Sequence, residues 1–180
     1  MASLPVVAAL CLSAPARAEP GFCMSRAAKV DGFSLPNVAG DTVALAAKPE
    51  RATIVHFFAT WCVSCRPELE SLNTLAAQDP DRLRVLSISV AEPAMRLKRY
   101  FDGFAPRFEI LLDESRAVAR AWSVHALPAT FVLDRELRPV LQVRGELDWG
   151  SAPVRDELER VAAGAPLRSP TCQNNEGGGT

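Results

Sequence analysis

The 180 residues, 48% hydrophobic and 23% charged, read as one globular domain with a sizeable core. The 20 Lys and Arg nearly balance the 21 Asp and Glu, for a formal charge of −1, and they are scattered along the chain. A nucleic-acid partner therefore has little support.

Residues 4–12 form an apolar stretch of secretory-leader length, too short to span a bilayer, and Ala16-Arg17-Ala18 offers a small-x-small cleavage site. Residues 1–18 are expected to be a signal peptide. The mature chain would then be periplasmic, without a membrane anchor. Loss of Arg17 takes the charge from −1 to −2. No Lys or Arg precedes the apolar run, which leaves open a start further upstream or weak export. Cys11 follows bulky Leu10 and makes a poor lipidation site.

Residues 19–30 are a lead-in of polar and small residues without clear periodicity. Residues 31–36 and 37–45 read as extended segments with a turn at Gly40-Asp41. Residues 52–59 (ATIVHFFA) are almost continuously apolar, β-branched or aromatic, the signature of a strand buried on both faces. Cys65, Leu69, Leu72 and Ala76 then fall at helical spacing. This predicts a helix from near Cys62 to about Gln78, ended by Asp79-Pro80-Asp81. A second buried strand is expected at 83–90, and a helix at 93–104 opened by Pro93 and closed by Gly103 and Pro106. A short strand at 108–112 and a short helix at 114–122 follow. Strands at 130–133 and 140–144 form a hairpin around 134–139, and a last helix covers 153–163. The order β-α-β-α, then β-β-α, fits an α/β sandwich with a central mixed β-sheet flanked by helices. The folded domain is expected to span 19–165, and 166–180 to be a C-terminal tail.

Four cysteines remain if Cys11 leaves with the leader, and Cys62 and Cys65 form a CxxC pair. Alone, that pair is ambiguous between zinc, a structural disulfide and redox work. Its position favours redox. It lies where a buried strand gives way to an amphipathic helix. Unpaired N–H groups and the helix dipole there stabilise a thiolate on Cys62. Cys65, a turn further in, is suited to resolving a mixed disulfide. No second CxxC or HxxxH supplies further zinc ligands, so no metal and no cofactor is expected.

The stretch Phe57-Phe58-Ala59-Thr60-Trp61-Cys62-Val63-Ser64-Cys65-Arg66-Pro67-Glu68 resembles the active-site segment of the TlpA/ResA/CcmG group of extracytoplasmic thioredoxin-like proteins. Residues 33–37 with Gly40-Asp41, and 126–134 (ALPATFVLD), are similar to that group as well. The likeness covers roughly residues 31–163. It implies a thioredoxin-like fold and thiol–disulfide exchange at Cys62 and Cys65. It also implies a cis proline at Pro128 facing the cysteines, with Leu127 and Trp61 offering contacts to substrate. Glu68 matches the glutamate of the group's CRxE pattern, a carboxylate able to tune thiol pKa values and pass protons. His56 stands where classical thioredoxins carry a buried aspartate and this group often asparagine. On a strand it shares a side with Ile54 and Phe58, so it is a candidate proton relay or a satisfied core histidine. His125 lies three residues before Pro128 and is not assigned to catalysis. Two departures stand out: Ser64 replaces a proline common between the cysteines, and Glu70 replaces a proline within the helix. The first leaves the redox poise open, the second the expected helix kink.

Cys23 and Cys172 flank the domain near its two ends, where a structural disulfide is reasonable because domain termini often lie close together. The resemblance implies a monomeric reductase of disulfide-containing client proteins, of the cytochrome c or copper-site maturation type, recharged by a membrane thiol-reducing transporter. A net oxidant and a copper-binding or folding-partner protein without turnover are the alternatives. A peroxidase fits less well, because the upstream strand-loop lacks the threonine and cysteine arranged as in peroxiredoxins.

Overall fold

The structure, a computed structural model, describes residues 21–25, 30–46 and 51–172. The expected signal peptide and the tail beyond Cys172 lie outside the described residues.

Twelve elements follow one another among those residues: β1 (Phe22–Met24), β2 (Ser34–Pro36), β3 (Thr42–Ala44), β4 (Ala52–Phe58), α1 (Cys65–Gln78), β5 (Leu83–Val90), α2 (Ala94–Tyr100), β6 (Glu109–Asp113), α3 (Ala117–Ala121), β7 (Ala129–Leu133), β8 (Pro139–Arg144) and α4 (Ala152–Ala163). Six strands form one mixed sheet in the order β1-β8-β7-β4-β5-β6, while β2 and β3 pair as a separate hairpin. β4, β5 and β6 run parallel, and β7, β8 and β1 add antiparallel neighbours. The fold is thioredoxin-like, as the sequence implies.

All seven residues of β4 are buried. Ile54 and Phe58 join the clusters under α1, α2 and α4, whereas Val55 and Phe57 join the one under α3 and the β2–β3 hairpin. Each such side chain contributes about 1.5–3 kcal/mol on burial, so a strand buried on both faces anchors two half-cores at once. Both parallel crossovers, β4-α1-β5 and β5-α2-β6, place their helices on one face, as right-handed connections stepping the same way must.

The boundaries differ from expectation at places with identifiable causes. α1 begins at Cys65 rather than near Cys62, because residues 62–65 form a turn closed by Cys65 N–H donating to Cys62 O at 3.2 Å. It then runs unbroken to Gln78, with Glu70 in its second turn. α2 stops at Tyr100, and Gly103 in a left-handed conformation (φ +78°) turns the chain away. α3 starts only at Ala117, because the Asp113 carboxylate accepts the N–H groups of Val118 and Ala119 at 3.3 and 2.8 Å.

The aperiodic lead-in contains β1, a three-residue edge strand on β8, too short to show a period of two. Residues 166–172, expected to be tail, are fastened to the domain. Leu167 packs on the core, and the buried Glu157 accepts from Arg168 N–H at 2.7 Å and from the Ser169 hydroxyl at 3.0 Å. Met24 N–H donates to Pro170 O at 2.7 Å, and Cys172 N–H to Met24 O at 3.0 Å.

Candidate active site

β4 ends at Phe58, and the chain passes through Thr60 and Trp61 into Cys62 before α1 begins. Cys62 and Cys65 are joined as a disulfide with Cα atoms 5.3 Å apart. Cys62 is 7% exposed and Cys65 fully buried, while Trp61 and Val63 project outward at 65% and 90% exposed. The outer sulfur is therefore the one a substrate meets, inside a rim of apolar side chains. Ser64 Oγ lies 3.6 Å from Cys62 Sγ, so the residue in place of proline puts a hydroxyl next to the outer sulfur.

β7 approaches from the other side. Its antiparallel register pairs Phe57 with Ala129, which puts Pro128 beside the end of β4, where the redox loop starts. The Leu127–Pro128 peptide bond is cis. Pro128 is buried, and Leu127 is half-buried against the cluster that contains Cys62 and Cys65. A cleft of about 220 Å³ lies alongside, bounded by Trp61, Ala91, His125, Ala126 and Leu127.

Beneath the cysteines is a buried polar group of four. Glu68, one turn along α1 from Cys65, is 1% exposed. Its Oε1 accepts from Trp149 Nε1–H at 2.8 Å and from the Thr130 hydroxyl at 3.3 Å. His56 Nδ1 lies 2.9 Å from Thr130 Oγ1 and 3.8 Å from the same carboxylate oxygen. With the Thr130 hydroxyl donating to Glu68, His56 Nδ1 must carry the proton given to Thr130, leaving Nε2 as the bare nitrogen. Burial pushes the Glu68 carboxyl up to about 7, against the Trp149 and Thr130 hydrogen bonds and with the added repulsion of Glu146. Burial pushes His56 down to about 3, so the imidazole is neutral at ordinary pH. The pair thus consists of an uncharged histidine and a carboxyl poised to take or release a proton.

A second buried carboxylate shapes the loop itself. Glu92, just after β5, accepts from Thr60 N–H at 2.8 Å, the Thr60 hydroxyl at 2.6 Å and the Ser89 hydroxyl at 2.9 Å. It fixes the backbone two residues before Cys62.

The structure therefore brings together Trp61, Cys62, Cys65, Glu68, His56, Leu127 and Pro128. His125 is exposed on the cleft wall. Cys23 and Cys172 stand apart, disulfide-bonded at the β1 edge with Cα atoms 4.7 Å apart. Sequence reasoning missed Thr130, Trp149 and Glu92. Thr130 is revealed by register, since it lies directly across from His56. For Trp149 the sequence signal is a tryptophan set between the turn-forming residues Asp148 and Gly150. Glu92 gave none beyond its place at a strand end.

The AhpC/TSA family profile matches residues 27–138. The chain is 27% identical over 104 residues to a thiol-disulfide oxidoreductase ResA of Geobacillus kaustophilus, covering 57% of this chain and 60% of that one. It is 26% identical over 107 residues to the thioredoxin-like protein YneN of Bacillus subtilis, covering 58% and 62%. In both cases the match spans less than two thirds of the relative. Among solved structures, a thiol:disulfide interchange protein of Chlorobium tepidum superposes with TM-score 0.63 at 22% identity, covering 78% of this chain and 97% of that one. StoA of Bacillus subtilis does so with TM-score 0.59 at 16% identity, covering 76% and 97%. These likenesses agree with the thioredoxin-like fold and with the resemblance to the TlpA/ResA/CcmG group.

Proposed function

The chain belongs to the AhpC/TSA family, and within it we propose that the protein is a periplasmic thiol–disulfide oxidoreductase that reduces disulfides in client proteins. The observation that carries this reading is the Cys62–Cys65 disulfide at the end of β4, with its outer sulfur rimmed by Trp61 and Leu127 and a proton-poised carboxyl one turn below.

In the reduced enzyme the Cys62 thiolate, stabilised by the positive end of the α1 dipole and by the Ser64 hydroxyl 3.6 Å away, attacks one sulfur of a client disulfide. An S–S bond forms between Cys62 and client, and the client's other sulfur leaves as thiolate. Cys65, deprotonated, then attacks Cys62 Sγ, and the second client sulfur departs. Two electrons have passed to the client, and the enzyme is left with the Cys62–Cys65 disulfide. Glu68 receives the proton that Cys65 must lose; His56, whose Nδ1–H is given to Thr130, holds the Thr130 hydroxyl on the Glu68 carboxylate and does not itself take that proton. Trp61, Leu127 and Pro128 line the approach, with backbone groups of the 126–128 segment receiving an extended client chain.

Clients of the cytochrome c or copper-site maturation type, recharging by a membrane thiol-reducing transporter, a monomeric state, and export by residues 1–18 belong to the same reading. Among the described residues no helix is long and apolar enough to cross a membrane. Insulin reduction by the dithiol form tests the activity, and Cys62→Ser with undiminished turnover would overturn it. The reduction potential tests the direction: a value well above thioredoxin's roughly −270 mV would make the protein an oxidant.

A further inference from the structure

We propose that Trp149 is a positioning residue for Glu68, its indole N–H fixing the carboxyl group and setting the pH at which that group titrates beneath Cys65. The inference deepens the functional reading above and rests on it only for its consequence at the cysteines.

Trp149 is held in place from several directions. Asp148 folds the segment between β8 and α4 into a tight turn, accepting Gly150 N–H at Oδ1 (2.9 Å) and the Ser151 hydroxyl at its carbonyl (2.9 Å). The turn drives the indole inward, where it is fully buried and meets Phe22 edge-on at 5.6 Å. Two contacts then tie it to α1. Trp149 N–H donates to Ser71 Oγ at 3.4 Å, and Nε1–H to Glu68 Oε1 at 2.8 Å. The Ser71 hydroxyl in turn donates to the Glu68 carbonyl at 3.0 Å, so the turn grips both the backbone and the side chain of the same residue.

A buried indole N–H needs an acceptor of some kind. Trp122, also buried, finds an ordinary one in the Asp31 carbonyl at 2.9 Å. Trp149 instead takes a carboxylate oxygen next to the redox pair. A donor aimed at a carboxylate favours the charged form, so this contact opposes the burial that raises Glu68. The other groups facing Glu68 leave it the adjustable partner. His56 from β4 stays neutral, Thr130 from β7 and Ser87 from β5 carry no charge, and Glu146 repels from the loop after β8. The buried Glu157 of α4 is engaged with residues 168 and 169.

Trp149→Phe keeps an aromatic ring against Phe22 and removes the donor together with part of the buried indole, so some loss of stability is expected in any case. Carboxyl NMR on the oxidised protein is expected to show the Glu68 midpoint rising by about one unit from its value near 7, since a hydrogen bond to a charged group is lost. The pH profile of exchange with a small disulfide should move the same way in the reduced protein. Trp122→Phe should move neither. A lower melting temperature with an unmoved Glu68 midpoint would make Trp149 merely structural and overturn the proposal. Should Trp149→Phe not fold, the unaltered protein decides. The Trp149 indole proton resonance must titrate with the Glu68 midpoint, and a resonance that stays constant from about pH 5 to about pH 9 rejects the assignment. If the unaltered protein catalyses no exchange, the functional reading fails while the carboxyl titration still judges Trp149.

Discussion

The two disulfides of this molecule differ in nearly every respect that governs what a disulfide does. Cys23–Cys172 joins residues 149 positions apart, on an edge strand and a terminal segment already held by backbone hydrogen bonds. Cys62–Cys65 spans three positions, at the end of the central strand, over a buried carboxyl and beside an exposed tryptophan. By the chain-entropy argument the long loop is worth up to about 5 kcal/mol and the short one about 2. The first is thus placed to hold the domain closed, and the second to be broken and remade at little cost to the fold.

The largest test sets the two pairs against each other. Cys62→Ser should lower disulfide-exchange rates by at least about 1,000-fold, while costing no more than about 2 kcal/mol of unfolding free energy. Replacing Cys23 and Cys172 by serine together should do the reverse. Urea unfolding should show a loss approaching about 5 kcal/mol, with exchange kept within about threefold. Equal losses of activity from both changes would erase the distinction.

A second difference is that the redox end carries a buried pair of titrating groups. The Glu68 carboxyl rises from 4.5 to about 7 on folding, so it contributes stability that is complete below pH 4.5 and lost as the pH climbs through 7. His56 falls from 6.5 to about 3, so its contribution is complete above pH 6.5 and lost as the pH drops through 3. Between 4.5 and 6.5 the two slopes oppose each other. Glu68→Gln removes one of them. Relative to the parent it should gain about 3 kcal/mol of unfolding free energy between about pH 4 and about pH 8, measured by denaturant titration across that range. A constant difference would show that Glu68 is not perturbed.

Glu92→Ala sharpens the comparison at the loop. It strands Thr60 N–H without its buried acceptor, so stability should drop by about 2 kcal/mol and exchange should slow. The same cost with unchanged kinetics would mean that the loop backbone keeps its shape without Glu92. The smallest effect is expected at the rim. Trp61→Ala should raise KM for a protein client by about tenfold, through lost apolar contact, and leave exchange with a small-molecule disulfide nearly untouched.

Much of this was legible in order along the chain. The nearly continuous apolar, β-branched and aromatic run at 52–59 reads as a strand buried on both faces, as β4 is, and the change to helical spacing after Cys65 located the redox pair at a strand-to-helix junction. These are local signals, since side-chain period and residue type carry them. β1 and the fastening of residues 166–172 were not legible, because three residues have no period and their partners lie far away in sequence. The same reason hid Thr130 and Trp149. Nothing near Glu68 in sequence announces a threonine 62 positions on or a tryptophan 81 positions on as hydrogen-bond donors to its carboxylate.

By itself, then, the sequence determined the chemistry available: two cysteines at the mouth of a helix, a glutamate one turn below and a proline opening a strand. Only the tertiary structure decided the proton affinities. Burial under α1 turned an ordinary glutamate into a carboxyl titrating near 7 and a histidine into a neutral base, because desolvation and donor placement depend on what the fold packs around a group.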